Sequence, residues 1–408
     1  MTGMTDAIVV GGGLNGPALA LALARAGLSV AVVDAQPARA RADAQFDGRA
    51  YALALASQRL LGAIGVWPAV AAKAQPILRI LTSDSGPGGA PSPLFLGFDA
   101  AEIEDGAMGY MLEDRFLYAA LLDAIEAEPG ITHVPSAQVV GQDTGPASAT
   151  VTLADGRRLT GRVIVGADGR GSGTAARAGI RRVGHPYGQT ALVCALDHDR
   201  PHHGTAQQVF RPGGPLAILP LPGNRSSIVW SESESRARIL SALPDEAFLS
   251  TLRPVFGDHL GDLRLAGPRF AYPLTLTLAE EYVKPRIALA GDAAHGVHPI
   301  AGQGLNLGLR DVAALAEVLV EAHRRGEDIG AIDVLTRYES WRRPDSTLLA
   351  LGMDGVNRLF SNANPVLRGL RDLGLGAVNR LPALRRALIR QAAGVSGHPP
   401  RLLTGRAL

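Results

Sequence analysis

The sequence predicts an α/β fold: a domain of alternating strands and helices, an antiparallel β-sheet inserted into it, and helices at its C-terminal end. Three observations lead to this prediction. Short apolar runs that end in glycine-containing turns occur near residues 10, 165 and 290, and each is typical of a buried parallel strand. Strand-like segments broken by Pro and Gly separate the second run from the third. A long segment of helical periodicity follows the third run.

The first apolar run leads into Gly11-Gly-Gly-Leu-Asn-Gly16, then an Ala- and Leu-rich helix and a second strand that ends at Asp34. This is the Rossmann-like order of strand, G-x-G-x-x-G, helix, strand and acidic residue. Gly11 would make the turn, Gly13 would let the backbone approach a pyrophosphate, and Gly16 would permit close packing of helix on strand. Asp34 would hold a ribose. The alternative is a purely structural glycine turn, and the complete βαβ context favours dinucleotide binding.

The second and third apolar runs end in similar turns. The second leads into Gly166-Ala-Asp-Gly169, where Asp168 would either bind the ligand or fix its own turn through side-chain bonds. The nucleotide site predicted above favours binding. The third run ends at Gly291-Asp292, and a carboxylate at a strand's carboxyl end can accept hydrogen bonds from the hydroxyls of a sugar-like chain.

The loop after the third run contains Pro299, Gly302 and Gly304, and a helix is predicted to begin near Leu305. Glycines without a Cβ let the backbone come close to a flat ligand. The first turn of the helix presents unpaired N–H groups and the positive end of the helix dipole. The sequence therefore predicts one ligand held by three strand ends, with its flat part against the loop before Leu305.

The sequence leaves the roles of two arginines and two histidines undecided. Arg49 precedes a predicted apolar helix, and Arg115 lies at the start of a predicted helix from Leu112 to Glu128. Either could reach a phosphate or lie on the surface, and spacing does not separate these alternatives. His295 and His298 are close to the glycine loop, but a histidine in such a loop more often satisfies backbone groups. No catalytic residue is assigned.

Composition excludes several classes of protein. A net charge of +2 over 408 residues excludes a strongly basic nucleic-acid binder. Cys194 is the single cysteine, which excludes a disulfide framework and a cysteine metal site and favours the cytoplasm; no metal site is predicted. The chain shows no basic leader and no apolar run near the roughly 18 residues that span a bilayer. We expect a cytoplasmic protein that at most lies on a membrane surface.

The domain organisation follows from these patterns. The predicted units are a discontinuous nucleotide-binding domain of residues 1–75, 99–180 and 284–345, a substrate domain of residues 76–98 and 181–283, and a C-terminal helical segment of residues 346–408. One helix, Pro244–Phe256, is predicted within the substrate domain. From Val366 onward eight arginines stand against one acidic residue, Asp372. This tail is either a solvated helix face or a surface that binds anionic lipid or an acidic partner.

The motifs resemble those of the FAD-dependent aromatic hydroxylases of the p-hydroxybenzoate hydroxylase fold, and most closely the ubiquinone-biosynthesis hydroxylases. The resemblance covers nearly the full length. It is carried by Gly11–Gly16, Asp47-Gly-Arg49, Gly166–Gly169, Gly291–His295, His298–Asn306 with Gly308 and Asp311, and, for the quinone-pathway branch, Gly214-Pro215, Leu219-Pro220 and Arg358–Asn362.

This resemblance implies a Rossmann-like FAD-binding domain of the GR2 type, with Val139 near adenine and backbone N–H groups at residues 304–306 facing the flavin pyrimidine edge. The cofactor-binding residues it implies are Gly11, Gly13, Asn15, Gly16, Asp34, Arg49, Arg115, Val139, Asp168, Gly291, Asp292, Pro299, Gly302, Gly304, Leu305 and Asn306.

The reaction implied by the resemblance is reduction of flavin by NAD(P)H, formation of a C4a-hydroperoxide with O2, and attack on it by a phenol ring carbon to give a catechol-type product. The implied substrate is a polyprenylated phenol of ubiquinone synthesis, and the implied location is the cytoplasm or the periphery of the inner membrane. A small soluble aromatic substrate, or a non-catalytic FAD-binding assembly factor, are the alternatives. No second G-x-G-x-x-G lies in a strand–helix context, so NAD(P)H would visit transiently.

Overall fold

The computed structural model describes residues 3–39, 49–85, 91–102, 106–360, 390, 393–394 and 397–408. Within these ranges the chain forms three β-sheets, with helices packed on and between them. The residues outside these ranges include Asp47 and Gly48, residues 86–90, Ser361 and Asn362, and most of the arginine-rich tail.

The first sheet has eight strands and carries the predicted nucleotide-binding topology. In sheet order its main path is β18 (Val283–Lys284), β19 (Ile287–Leu289), β11 (Arg158–Gly166), β1 (Thr5–Val10), β2 (Val30–Val33) and β8 (Ile131–Val134), and β10 (Ala149–Leu153) and β9 (Val139–Thr144) extend from β11 as an antiparallel layer. The strands from β19 to β8 are parallel to one another. Within β1, Ala7 and Val9 are part of the main helical core, while Ile8 and Val10 pack with β9 and β10. Both faces are thus buried, which explains the continuous apolar runs.

Nine helices accompany the sheets in the described part of the chain. They are α1 (Asn15–Ala24), α2 (Leu55–Ala63), α3 (Trp67–Val70), α4 (Asp114–Ala127), α5 (Gly173–Arg177), α6 (Glu234–Ala242), α7 (Asp245–Phe256), α8 (Gln303–Arg324) and α9 (Ile332–Phe360). Helices α1 and α8 pack on each other and on the parallel sheet. This contact sets the two helix N-termini side by side.

The second sheet is the predicted insertion. It has nine strands: β20 (His295–Gly296), β17 (Phe270–Ala279), β12 (Arg182–His198), β15 (Arg225–Ser233), β14 (Leu216–Leu221), β13 (Thr205–Phe210), β5 (Arg79–Ser85) and β6 (Pro91–Asp99) in order, with β16 (Leu263–Leu265) beside β12. All its pairings are antiparallel except that of β13 with β5. Helices α6 and α7 cover one face over the buried side chain of Trp230. A short third sheet, β3 (Ala50–Ala54), β7 (Gly109–Glu113) and β4 (Gln75–Ile77), connects the two large ones.

Several predicted elements differ from the observed ones. The segment after Arg49 is a strand, β3, before it becomes the helix α2, because an apolar run this short does not distinguish the two. The sequence of Ser136–Val140 predicts a strand, but β9 begins only at Val139, since Ser136 has a left-handed φ of 53°. The insertion contains two helices rather than one, because α6 has only two buried residues and therefore a weak apolar pattern.

The boundary predicted between residues 345 and 346 falls within α9, which runs on to Phe360 without interruption. The strand β20 comes from the segment assigned by sequence to the nucleotide domain, yet it pairs with β17 of the insertion. The domain limits given above therefore stay an interpretation of the chain, because residues 295 and 296 follow the parallel strand β19 in sequence but belong to the inserted sheet.

Candidate functional site

Three turns lie side by side at the carboxyl edge of the parallel sheet. Val10 of β1 is in register with Gly166 of β11, and Gly166 with Leu289 of β19. The backbone continues this alignment beyond the strands: the Ala167 amide donates to the Val10 carbonyl at 2.8 Å, and the Ala290 amide donates to the Gly166 carbonyl at 2.9 Å. The structure thus brings together the three glycine turns that the sequence places about 150 and 120 residues apart.

The first turn is closed by contacts that leave no room for side chains. A Cβ at Gly16 would overlap the carbonyl oxygen of Gly11, and one at Gly12 would overlap the carboxylate of Asp34. Gly11 itself has a φ of 117°, which L-residues rarely adopt. Asp34 lies at the end of β2 with its carboxylate against this turn, as the prediction of a ribose-binding acid requires.

Asn15 joins the first turn to the third. Its side chain lies between Gly291 and Gly308, and a Cβ on either glycine would overlap its carboxamide nitrogen. Its oxygen Oδ1 is buried and accepts no hydrogen bond from the described part of the protein. Sequence reasoning did not find this packing role of Gly308, since the contact depends on how α8 crosses α1.

A cavity of about 1210 Å³ opens from these turns to the inserted sheet. Of the residues predicted from the sequence, its wall contains Gly13, Asn15, Arg49, Asp292, Pro299, Gly302, Gly304 and Leu305. Pockets for a single small molecule are usually about 300–1,000 Å³. This cavity is large enough for a cofactor ring together with a substrate.

Two helix N-termini form part of the wall. Helix α1 begins at Asn15 and α8 begins at Gln303 after Gly302, and neither has a side-chain cap. Gly302 has a left-handed φ of 63°, and a Cβ there would lie 3.1 Å from the Ala52 Cβ. An N-terminus without a side-chain cap offers N–H groups and a positive dipole end to an anion. Two of them on one cavity fit a diphosphate and a ring that gains negative charge.

Comparisons with known proteins agree with this geometry. A family model described as an FAD binding domain matches residues 4–350. The chain is 48% identical over 407 residues to the ubiquinone hydroxylase UbiL of Rhodospirillum rubrum. The alignment covers 98% of this chain and 93% of that protein. The chain belongs to this FAD-binding family of hydroxylases.

Other similarities point the same way. The chain is 38% identical over 395 residues to 3-demethoxyubiquinol 3-hydroxylase of Escherichia coli K12, covering 96% of this chain and 99% of that one. The crystal structure of p-nitrophenol 4-monooxygenase PnpA from Pseudomonas putida DLL-E4 superimposes with a TM-score of 0.80 over 98% of this chain and 100% of that chain, at 20% identity, which shows the shared fold. The predicted family and α/β fold class are confirmed, and the protein is an FAD-dependent monooxygenase.

Within this flavoprotein the predicted Asp292 lies in the cavity wall and is already paired. The Arg170 Nε donates to its Oδ2 at 3.1 Å, and both side chains are partly exposed. Arg170 also lines the cavity. Sequence reasoning passed over Arg170, although it directly follows the Gly166–Gly169 motif, because a surface arginine gives no local signal.

The carboxylate of Asp168 serves its own turn. It accepts hydrogen bonds from the Ser172 hydroxyl at 2.5 Å and from the Thr174 amide and hydroxyl, both at 2.9 Å. These bonds hold the start of α5, where Ser172 is the N-cap. Of the two alternatives given for Asp168, this geometry favours turn fixing, and a direct contact with FAD stays a prediction.

The structure separates the two arginines that spacing could not. Arg49 lies in the cavity wall, 3.7 Å from the buried carboxylate of Asp114. Arg115 is turned toward Glu113 at 2.7 Å and lies over the Phe116 ring. Arg49 is therefore better placed than Arg115 to reach the cofactor.

Other predicted residues act from behind the wall. Asn306 accepts from the Ala54 amide and the Ser57 hydroxyl, both at 2.8 Å, and donates to the carbonyls of Ala52 and Gly302. It thereby fixes the start of α8 against β3. The backbone carbonyl of Val139 already accepts a hydrogen bond from Arg177 at 3.2 Å. Its predicted contact with adenine stays a prediction.

His295 belongs to a buried charge cluster behind the third turn. Its Nε2 lies 2.5 Å from the Asp311 Oδ2, which also accepts from the Gly291 amide, while Arg342 donates to Oδ1 at 2.9 Å. Burial opposes the charge on His295, but the Asp311 carboxylate outweighs it and raises the histidine pKa. Burial likewise opposes the charge on Asp311, and His295 and Arg342 outweigh it and lower its pKa. The cluster is ionised and supports Gly291.

His298, three residues later, has the opposite electrostatics. It is buried, its Nε2 lies 3.3 Å from the Gln189 Oε1, and burial, together with the nearby Arg170, lowers its pKa to about 4. It is therefore neutral at pH 7.

Within the described ranges no group of three or more His, Cys, Asp or Glu could hold a metal ion, and no described helix is long and apolar enough to cross a bilayer.

Proposed function

We propose that this monooxygenase hydroxylates the aromatic ring of a polyprenylated phenol on the route to ubiquinone, with NAD(P)H as the transient reductant. The observation that carries the proposal is the cavity wall formed by the inserted sheet, which has no charged side chain among the described residues. Its apolar members include Ile80, Phe98, Val193, Leu219 and Val229. A wall of this kind favours a long apolar substrate over a small carboxylated one.

Helix α9 supports a route for the prenyl tail. Leu348 and Val356 line the cavity and are 74% and 36% exposed to solvent. Leu351 and Leu359 are also exposed and share the same helix face by their spacing. An apolar stripe that starts in the cavity and continues onto the surface suits a tail that remains partly in a lipid phase.

The chain's own residues then divide the work. FAD supplies the oxygen-transfer chemistry when bound. The N-terminus of α8 would stabilise negative charge on the flavin by about 1 kcal/mol, Asn306 keeps that N-terminus in place, and Asp292 with Arg49 would bind polar groups of the cofactor. The inserted sheet would keep water from the reacting atoms.

The alternative substrate is a small soluble aromatic. A carboxylated substrate of this kind would need a cation, and among the described lining residues the arginines are Arg49 and Arg170, both on the nucleotide side. The names of the relatives, a ubiquinone hydroxylase and a demethoxyubiquinol hydroxylase, support the quinone route. The non-catalytic alternative loses its support with the assignment of the family.

We further propose that the arginine-rich segment after Val366 brings the enzyme to the cytoplasmic face of the inner membrane or to an assembly there. Its net charge supports this, since each basic residue near an anionic surface contributes about 1 kcal/mol. The absence of a second nucleotide motif supports transient NAD(P)H binding.

The test is a quinone profile of a strain that lacks the gene. We expect ubiquinone to fall and a prenylated intermediate that lacks one ring hydroxyl to accumulate, and the wild-type gene to restore ubiquinone. A normal quinone profile in the deletion strain would refute the substrate assignment. The purified protein should also carry FAD and should oxidise NADH or NADPH faster when 2-farnesylphenol is added.

A further inference from the structure

Gln189 links three elements that border the cavity. It lies on β12 within the irregularity between Pro186 and Thr190, and its side chain is buried. Its Nε2 donates to the Gly213 carbonyl at 3.0 Å. Its Oε1 accepts from the His298 Nε2 at 3.3 Å and from the Asn357 Nδ2 at 3.2 Å. One carboxamide thus holds the β13–β14 turn, the loop before α8 and helix α9.

Two of the three partners are next to a residue of the cavity wall, and the third lies in a turn that follows such a residue. His298 precedes Pro299, and Asn357 follows Val356. Gly213 lies in the turn after Phe210, whose ring lines the cavity and stacks on Phe360 of α9 at a centroid distance of 4.1 Å. A displacement of the substrate side of the wall would therefore reach the loop before α8 through Gln189.

The turn that Gln189 holds cannot move by itself. Glu232 is buried and accepts from Arg211 at 2.8 Å and from the Trp230 indole at 3.1 Å. A Cβ at Gly213 would overlap the Glu232 carboxylate, and Gly214 has a φ of 136°. The turn is therefore fixed to β15, and Gln189 gives it a polar contact with the cofactor side.

The hydrogen bond between His298 and Gln189 has a defined donor. The ring is buried, and the Tyr187 ring meets it edge-on at a centroid distance of 4.9 Å. Because the imidazole is neutral at pH 7, it carries one proton, and the contact with a carboxamide oxygen assigns that proton to Nε2. Removing the carboxamide oxygen would free both the ring tautomer and the backbone next to Pro299.

We propose that Gln189 is a positioning residue that couples the inserted sheet and α9 to the loop of residues 297–302, so that a phenol seated on the sheet alters the surroundings of the flavin ring. The part about the phenol rests on the function proposed above; the coupling of sheet to loop does not. The residue acts through His298 and is not a catalytic group.

The test uses the FAD-loaded full-length enzyme and the variant Gln189→Met, which keeps the side-chain length but removes all three hydrogen bonds. Ser226→Ala is the matched control, because it removes one buried hydrogen bond, to His198, from the same pair of strands away from the cavity. The first readout is quenching of flavin fluorescence by iodide. The second is the stimulation of anaerobic flavin reduction by 2-farnesylphenol.

We expect the Gln189→Met enzyme to retain FAD but to show stronger iodide quenching, and its stimulation by 2-farnesylphenol to fall about tenfold, a typical coupling between two sites. Ser226→Ala should behave as wild type. If Gln189→Met does not yield holoenzyme, Asn357→Leu, which removes the hydrogen bond from α9 to Gln189 and leaves those to Gly213 and His298, should lower the stimulation by a smaller factor.

Wild-type behaviour of Gln189→Met in both readouts would overturn the proposal, as would equal changes in Ser226→Ala. In the absence of holo Gln189→Met, unchanged stimulation in Asn357→Leu would overturn it as well. A wild-type enzyme that does not respond to 2-farnesylphenol would count against the proposed substrate, and the iodide readout alone would then decide on the coupling.

Discussion

The carboxyl edge of the parallel sheet and the apolar wall of the inserted sheet form the two sides of one cavity, and they are built differently. The edge consists of backbone: glycine turns, strand ends and two helix N-termini without side-chain caps. The wall consists of side chains brought together by long-range strand pairing. At Gly11, Gly16 and Gly291 of this edge an added Cβ would overlap a neighbouring atom, whereas a side-chain wall can be changed one residue at a time. The cofactor side should therefore be fixed across variants and the substrate side adjustable.

The largest effect is expected at the first turn. Gly16→Ala would force the new Cβ into the Gly11 carbonyl and displace α1 from β1, so we expect loss of bound FAD and a lower Tm. The ratio of flavin absorbance to protein absorbance and a thermal scan measure both. Gly62→Ala is the control, because nothing lies within 4 Å of its Cβ position in α2 and an alanine there should stabilise the helix by about 0.5–1 kcal/mol. Full FAD occupancy in Gly16→Ala would contradict the tight packing of this turn.

The next effect concerns the charge cluster behind the third turn. Asp311→Asn would leave His295 buried without its carboxylate and Arg342 with its ion pair to Asp345 alone among the contacts of this cluster, at a cost of about 3–5 kcal/mol in the free energy of unfolding. Urea unfolding at pH 7 measures it. Asp143→Asn serves as control, since its ion pair with Arg158 is exposed and should contribute within about 1 kcal/mol. If Asp311→Asn lost less free energy of unfolding than Asp143→Asn, the cluster would not be ionised.

A smaller effect separates the two histidines by pH. The folded pKa of His298 is about 4, below the ordinary 6.5, so protonation favours the unfolded chain. The contribution of neutral His298 to the free energy of unfolding is fully present above pH 6.5. It is lost as pH falls, by about 2 kcal/mol between pH 7 and pH 5. His295 has the opposite sign: its raised pKa gives stability below pH 6.5 that is lost as pH rises through the folded value.

We therefore expect His298→Gln, which keeps a donor toward Gln189, to flatten the acid side of the stability profile. The free energy of unfolding at pH 5, 6 and 7 measures this slope. An unchanged slope in the variant would show that another group carries the acid sensitivity.

The smallest effect is expected on the apolar wall. Val229→Thr keeps the shape and adds one hydroxyl to the surface that would contact the phenol or its tail, so we expect KM for 2-farnesylphenol to rise up to about tenfold with FAD content unchanged. Val140→Thr, on the exposed part of β9, is the control and should change nothing. An FAD loss in Val229→Thr would mean that edge and wall are not independent.

The sequence predicts the edge better than the wall for a physical reason. Gly11, Gly166 and Gly291 each follow an apolar strand directly, so local pattern and known parallel topology suffice to place them together. The roles of Asp168 and Gly308 depend on contacts made after folding: the pattern favours ligand binding for Asp168, whereas its contacts favour turn fixing, and the pattern gives no sign of the packing role of Gly308. Gln189 gives no signal at all, because its three partners are 24, 109 and 168 residues away. The confirmed family and fold class rest on the edge.

Strand β20 is two residues long, yet it places part of the loop before α8 in the inserted sheet: the backbone of His295 and Gly296 pairs with β17. The insertion of a relative could be exchanged for this one by cutting the chain at residues 181 and 283. His295 and Gly296 would then have to pair with a β17 strand of different sequence. A chimera that also transplants 295 and 296 should assemble, so this short pairing sets the boundary at which the two halves of such enzymes can be recombined.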